Sequence, residues 1–382
     1  LEPGLKYALT LEKAASDLKQ LYPAKKFRIP VVIHNYTSRS NGYVAWAPSR
    51  MELYPTPDQN SIPLDPFSQL AIHEMTHVSQ LVSLNTGFTK GASWLLGQQI
   101  TGGVAVFLPL WLLEGEAVFA ESALTESGRG RIPAFEKELK AIAVEKGGLY
   151  GYDKMINGSF RHYIPDHYQL GYQIAAWGRT KYGENIWNDA FKKTGSEPFS
   201  LNPVNISLRR YDSMTKKKLF RETFDTLGSQ WRDEALSDSK KRYPELNPEK
   251  KGRYINYHSP VVAGNDSIIA VRTSLSSTPA FVLVRPSDRT EKTIHIPGLI
   301  YPYYISCGGN KLVWVELLYD MRWENREYSV IKIKDLKTGS VSRLTSRSRY
   351  MAAAISPDGR TIAAISSSVD NKSSLVFIDP VN

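Results

Sequence analysis

The stretch LAIHEMTHVSQ, residues 70–80, places two histidines four positions apart with a glutamate directly after the first. On a helix, positions four apart lie about 40° from each other around the axis, so His73 and His77 project side by side, one turn apart. Both imidazoles then reach a single zinc ion at about 2.0–2.1 Å. Glu74 falls about 100° from His73, at the edge of the metal face. From there its carboxylate reaches a water on the ion without being a ligand, and takes the proton of that water. HExxH is the signature of this division of labour. The competing reading is a pair of ordinary histidines on an amphipathic helix. The flanks Leu70, Ala71, Ile72, Val78, Leu81 and Val82 argue against it. They bury the helix on more than one side, where His and Glu are costly without partners.

Two histidines leave a zinc site short of one protein ligand, with the fourth position open for water. The downstream segment PLWLLEGEAVFAES, residues 109–122, offers Glu114, Glu116 and Glu121. Glu114 and Glu121 are seven apart and share one stripe, about 20° from each other, whereas Glu116 points about 160° away from Glu114. The economical assignment makes Glu114 the ligand and places Glu121 one layer deeper, bonding a ligand imidazole from behind. Gly115 allows a neighbouring helix to approach closely.

Elements must hold these groups in place. LKYALTLEKAASDLKQLYP reads as a helix that stops at Pro23, FRIPVVIHNY (27–36) as a strand, and GYVAWAPSRMELYP (42–55) as one or two strands turned by Pro48. The HEMTH helix starts at Asp65 as N-cap with Pro66 in its first turn. Further helices are expected at 109–125, 133–146, 166–182, 184–194 and 215–236, the last with Leu219, Phe220, Phe224, Leu227 and Trp231 on one face. The most apolar run, residues 94–113, is interrupted by Gln98, Gln99, Gly102, Gly103 and Pro109. It is too broken for a membrane span and is expected to fold as a loop or hairpin over a cleft.

Beyond residue 250 the hydrophobic period changes to two. SPVVAGNDSIIAVRT, YYISCGGNKLVWVEL and AAISPDGRTIAAISS each read as strand, Gly-containing turn, strand, and aligning Ala270, Trp314 and Ala364 spaces them 44 and 50 residues apart. That length suits one four-stranded propeller blade per repeat, and the third stops before its last strand. The expectation is an incomplete propeller, a piece of a longer protein or an open array. At 382 residues two domains are expected, 1–248 and 249–382, of overall class α+β.

The net charge of +10 is scattered, with knots at Lys216-Lys217-Lys218 and Lys240-Lys241-Arg242. No aromatic-interleaved basic motif accompanies them, so nucleic acid is not an expected partner. The single cysteine, Cys307, excludes both a disulfide framework and a Cys-rich zinc site. No G-x-S-x-G occurs, which removes a serine hydrolase of the nucleophile-elbow type.

HEMTH followed by WLLEGEA resembles the gluzincin metallopeptidases, in which HExxH is followed by a W-x-x-E-G-x-A helix carrying the third zinc ligand. The resemblance covers roughly residues 27–235. It implies a zincin-like, mostly helical domain with a small mixed sheet, zinc on His73, His77 and Glu114, and Glu74 as general base. It further implies a substrate strand laid on a sheet edge, for which GYVAWA (42–47) is the match by position, and an oxyanion donor. Tyr168, in a Y-x-x-G pattern, is the choice for that donor, with Tyr172, His162 and His167 competing. Thirty-six residues separate His77 from Glu114, a wider gap than in the aminopeptidase branch, and that branch's GxMEN motif is absent. Endopeptidase action is therefore favoured. The three repeats resemble TolB-like propeller repeats of bacterial envelope proteins, which implies a periplasmic, outer-membrane-associated or secreted location. The expected partners are a peptide or protein substrate, a protein held by the propeller, and a membrane surface touched without a span. The alternative function is an inert envelope scaffold whose propeller binds protein or glycan.

Overall fold

The structure, a computed structural model, describes all residues except 1, 24–26, 58–62, 238–242, 249–251, 253, 265, 301 and 381–382. The basic knot at 240–242 therefore lies outside the described residues, and the expected boundary after residue 248 adjoins 249–251. The class is α+β. Helices fill the chain from α1 (Glu2–Asp17) to α11 (Lys216–Ser237), and strands fill it from Ile255 onward.

The first half carries one small sheet, β1 (Val31–Ile33), β2 (Asn41–Trp46) and β3 (Ser49–Tyr54), in the order β1-β3-β2. β1 runs parallel to β3, and β2 pairs antiparallel with it, Gly42 opposite Leu53, through a turn at Ala47-Pro48. β2 is thus an edge strand. The FRIPVVIHNY strand is only three residues long as regular structure, although the amide of Met51 still reaches the carbonyl of Pro30 at 2.9 Å and that of His34 reaches Leu53 at 2.8 Å.

Next come α2 (Pro66–Leu84), α3 (Gly87–Leu96), α4 (Gln99–Ala105), α5 (Leu110–Ala123), α6 (Pro133–Glu145), α7 (Tyr152–Asn157), α8 (His167–Tyr182), α9 (Ile186–Ser196) and α10 (Pro203–Leu208). The α2 start is as the sequence implies: Asp65 accepts from the Ser68 amide at 2.8 Å, with Pro66 at the first helical position. α8 is capped the same way by Asp166, which accepts from the amides of Tyr168 and Gln169. On α11, Leu219, Phe220, Phe224 and Trp231 are buried and Leu227 packs against them. α5 and α8 cross with almost nothing between them. A Cβ on Gly115 would stand 2.2 Å from the backbone of Gly171, and one on Gly171 would stand 2.1 Å from the carbonyl of Trp111. The two glycines let the backbones touch, which brings Tyr168 near the carboxylates of α5.

Three antiparallel sheets make up the second half. β4 (Ile255–Gly264), β5 (Ser267–Ser274), β6 (Ala280–Arg285) and β7 (Thr290–His295) form the first; β8 (Ile305–Gly308), β9 (Lys311–Tyr319), β10 (Glu327–Asp335) and β11 (Val341–Arg343) the second; β12 (Tyr350–Ile355), β13 (Ile362–Ser367) and β14 (Ser373–Ile378) the third. Ala270, Trp314 and Ala364, aligned by the repeat, all occupy the second strand of their sheet. β9 shows why its sequence, KLVWVELLY, does not alternate. Side chains on a strand point to opposite faces in turn. Leu312 and Trp314 enter a core with Ile269 and Phe281 of the first sheet, while Val313 enters one with Ile355 and Ile362 of the third. Among the described residues these sheets do not close a ring.

The β1–β2 connection ties the halves together. The Glu327 amide donates to the carbonyl of Tyr36 at 2.9 Å, and Arg39 pairs with the Glu327 carboxylate. Arg349, almost wholly buried, donates to the Thr37 carbonyl at 2.9 Å and to the Thr56 hydroxyl at 3.0 Å.

Candidate metal centre

α2 and α5 pack against each other, and their polar residues converge on one point. His73 Nε2 and His77 Nε2 are 3.2 Å apart. Glu114 Oε2 stands 3.2 Å from the first and 3.4 Å from the second. The three donor atoms lie within 4.8 Å of one another, so this group is able to bind a metal ion. The far nitrogens of both rings are already engaged. His73 Nδ1 bonds Glu121 Oε1 at 2.7 Å, and His77 Nδ1 bonds Gln80 Oε1 at 2.9 Å. Such bonds fix the ring orientation and leave each Nε2 free to act as a ligand. Glu121 is therefore where the helical stripe put it, behind the His73 imidazole and 0% exposed.

Glu74 lines the same cleft and is not one of the three clustered donors. Its Oε2 is buried with no hydrogen-bond partner, which is costly for a carboxylate that serves no purpose. Its other flank rests on β2. A Cβ at Gly42 would lie 2.8 Å from the Glu74 carboxyl, so only glycine fits there without displacing it. Burial raises the Glu74 pKa, against the pull of His73 and His77. Glu116, as its angle implies, faces away: it is buried in an ion pair with Arg179 and accepts the Tyr22 hydroxyl.

Two further residues complete the cluster that sequence reasoning did not name. Gln80, three positions after His77, also donates to the Leu113 carbonyl at 2.9 Å and so ties α2 to α5. Its i+3 spacing from His77 was a usable signal. Arg129, from the short TESGRGR turn, donates Nε to Glu121 Oε2 at 3.0 Å and Nη2 to Oε1. The same Nη2 lies 2.9 Å from His73 Nδ1. That nitrogen cannot both donate to Glu121 and accept from Arg129. The shorter contact to a carboxylate, which only accepts, decides for donation to Glu121.

The site opens into a cleft of about 580 Å³ lined by β2, α2, α4, α5, Arg129 and Tyr168. Of the four candidate oxyanion donors only Tyr168 is among the lining residues. Its ring lies 6.1 Å from that of His73 and 5.1 Å from the Arg129 guanidinium. Burial, followed by the charge of Glu114, pushes its hydroxyl pKa well up, so the group is a donor at neutral pH. His162 instead stacks near Tyr150, Tyr172 packs on Phe135, and His167 flanks Tyr168 outside the cleft. The apolar run 94–113 does form the cover, through the end of α3, α4 and the start of α5, with α4 and α5 bent by 99°. Trp46 of β2 lies against Gly102 of α4, and Val106 and Leu110 line the mouth. Among the described residues no single helix is long and apolar enough to cross a membrane.

Burial opposes a charged His73, but the carboxylates of Glu114 and Glu121 override it and raise the ring to about 9. His77 moves the same way through Glu114. Burial likewise opposes ionised Glu121, yet Arg129 and His73 hold it at about 2. A ligand imidazole must be neutral, so a cation has to displace a proton that is bound below pH about 9. Metal affinity is expected to rise with pH up to that point, about tenfold per unit for each proton released. Titrating the metal-free chain with zinc calorimetrically, in buffers of different protonation enthalpy, measures that release. A pH-independent affinity between 6 and 9 would contradict it.

No family profile matches this chain, and no curated protein matches it. A solved structure of a Mycobacterium tuberculosis puromycin-hydrolyzing peptidase is similar over 33% of this chain and 19% of its own, at 13% identity and a TM-score of 0.25. A likeness that slight carries no argument about fold or function.

Proposed function

We propose that this chain is a zinc-dependent peptidase, an endopeptidase, with the ion on His73, His77 and Glu114. The observation that carries the reading is the orphaned, buried Oε2 of Glu74 beside that three-ligand cluster, at the wall of an open cleft. The donor set of two imidazoles and one carboxylate suits zinc and leaves an open position. When bound there, zinc would supply Lewis acidity, polarising a carbonyl oxygen and making a water acidic near neutral pH. Glu74 takes a proton from the water that attacks the carbonyl carbon. It then returns that proton to the departing amide nitrogen, so the C–N bond breaks, the water oxygen ends in the new carboxyl group, and its remaining proton passes to the freed amine. Tyr168 donates to the developing oxyanion. Edge strand β2, with Gly42 against Glu74, offers backbone groups to an extended substrate.

The helical half is read as zincin-like and the three meanders as TolB-like propeller blades, and a place in the bacterial envelope goes with that second reading. Trp94, 90% exposed, with Leu95, Leu96 and Val106, supports contact of the cover with a membrane surface. The test is cleavage of unfolded casein. Internal cuts should disappear on chelation with phenanthroline and return with added zinc. Cleavage that persists under chelation, or none from zinc-loaded protein, contradicts the reading.

A further inference from the structure

The metal cleft is lined by residues of the first half, Ser40 to Tyr168. Beside it lies a second cavity of about 590 Å³, and Ser40 and Asn41 line both. Asn41 is the first residue of β2, so the edge strand runs straight from the metal centre to the mouth of this second space. Its far wall belongs to the second half: Tyr319 at the end of β9, and Glu324 and Asn325 in the β9–β10 turn.

This wall is built rather than incidental. Asp320 Oδ1 accepts from the amides of Arg322 and Trp323 at 2.9 and 3.1 Å, and the Asp320 amide bonds the Arg326 carbonyl at 3.0 Å, which closes the turn on itself. Across the junction, the Tyr54 hydroxyl donates to Asn325 Oδ1 at 3.1 Å. Arg39 Nη2 donates to the Tyr319 hydroxyl at 3.1 Å and also to the Glu327 carboxylate, which Nε reaches at 3.1 Å. The turn is thereby tied to β3 through Tyr54 and to the β1–β2 connection through Arg39.

The two spaces also differ in chemistry. The metal cleft has apolar walls from Leu70, Leu81, Leu113 and Trp46. The second is edged by Arg39, Tyr54, Tyr319, Glu324 and Asn325, all able to hydrogen-bond. A strand laid along six-residue β2 spans about 20 Å, and a longer chain that overhangs the Asn41 end enters the polar space.

We propose that this second cavity is an extension of the substrate groove, and that it takes the polar flank of an extended polypeptide bound across both halves of the chain. The inference rests on the peptidase reading for its substrate class. The β9–β10 turn then selects by length and polarity, since a short peptide fills the metal cleft without touching the second half.

The test measures binding apart from cleavage. Randomised, fluorescein-labelled peptide pools of about four and about twelve residues, the latter twice the length of β2, are titrated by anisotropy against the zinc-loaded Glu74→Gln chain. The longer pool should bind more tightly. That preference should fall about tenfold, the worth of one or two hydrogen-bonding side chains, in Glu324→Ala/Asn325→Ala. It should fall likewise in Ser40→Trp, which fills the junction without altering the turn. Equal binding of both pools, no binding of either, or a preference untouched by both variants overturns the groove. Cleavage by the unsubstituted chain is scored separately. A length preference lost in the variants with no cleavage of any peptide leaves the groove standing and removes the peptidase. Cleavage with no length preference does the reverse.

Discussion

Glu74→Gln is expected to keep the metal and to lower peptide hydrolysis by at least about a hundredfold, the scale of a lost general base. The substitution is isosteric, so Gly42 still meets the same shape and the α2 helix keeps its packing. None of the three ligand atoms is touched. What disappears is the ability of the buried, unpartnered oxygen to take and return a proton. An amide in that place donates or accepts a hydrogen bond but carries no proton between water and nitrogen. Metal content by mass spectrometry, set beside the rate of casein cleavage, separates the two roles. Full activity in the variant contradicts the mechanism, and loss of the metal contradicts the assignment of Glu74 as a non-ligand.

The second large effect is on stability. Glu116→Ala is expected to destabilise the first half by about 3–5 kcal/mol, because Arg179 is left as a buried charge without its partner. Arg179 is only 4% exposed, and Glu116 meets it through Nε at 2.9 Å and again through Nη2, while Tyr22 donates to the same carboxylate. The pair joins α5 to α8 on the side opposite the metal ligands, so its loss also loosens the helix that carries Glu114. Removing both charges in Glu116→Leu/Arg179→Met should recover most of the loss, since an apolar pair of similar volume needs no solvation. Urea midpoints of the three chains measure this. A single variant as stable as the unsubstituted chain would mean that water reaches Arg179 and the pair is not buried.

Glu114, Glu116 and Glu121 sit on one short helix and were legible in different ways. Angular position separates Glu116, which pairs with Arg179, from the Glu114–Glu121 stripe, and the two helical turns between Glu114 and Glu121 set one near both imidazoles and the other behind His73. HEMTH, the Asp65 cap and the Gly115 crossing were legible for the same reason: each is settled within one or two turns. Arg129 was not. It reaches Glu121 from a glycine-rich turn whose path depends on α5 and α6 already being in place. The short helices α7 and α10 carry too few residues to show a period. β1 reads as ten residues of strand but has a single neighbour, β3, and regular pairing covers three. The seating of Thr37 and Arg39 on the second half is a contact across nearly three hundred residues, and no local pattern announces it. The alternation in β4–β14 did mark strands, whereas the burial of β9 on both faces depends on the sheets packed either side of it.

The most direct test of the central claim is the metal content of the purified chain, set beside that of His77→Ala. The account predicts about one zinc per chain, as for a three-ligand site, and its loss in the variant, where Glu114 and His73 alone remain. A chain that holds no zinc after incubation with the ion, or a His77→Ala chain that holds as much as the unsubstituted one, would contradict it.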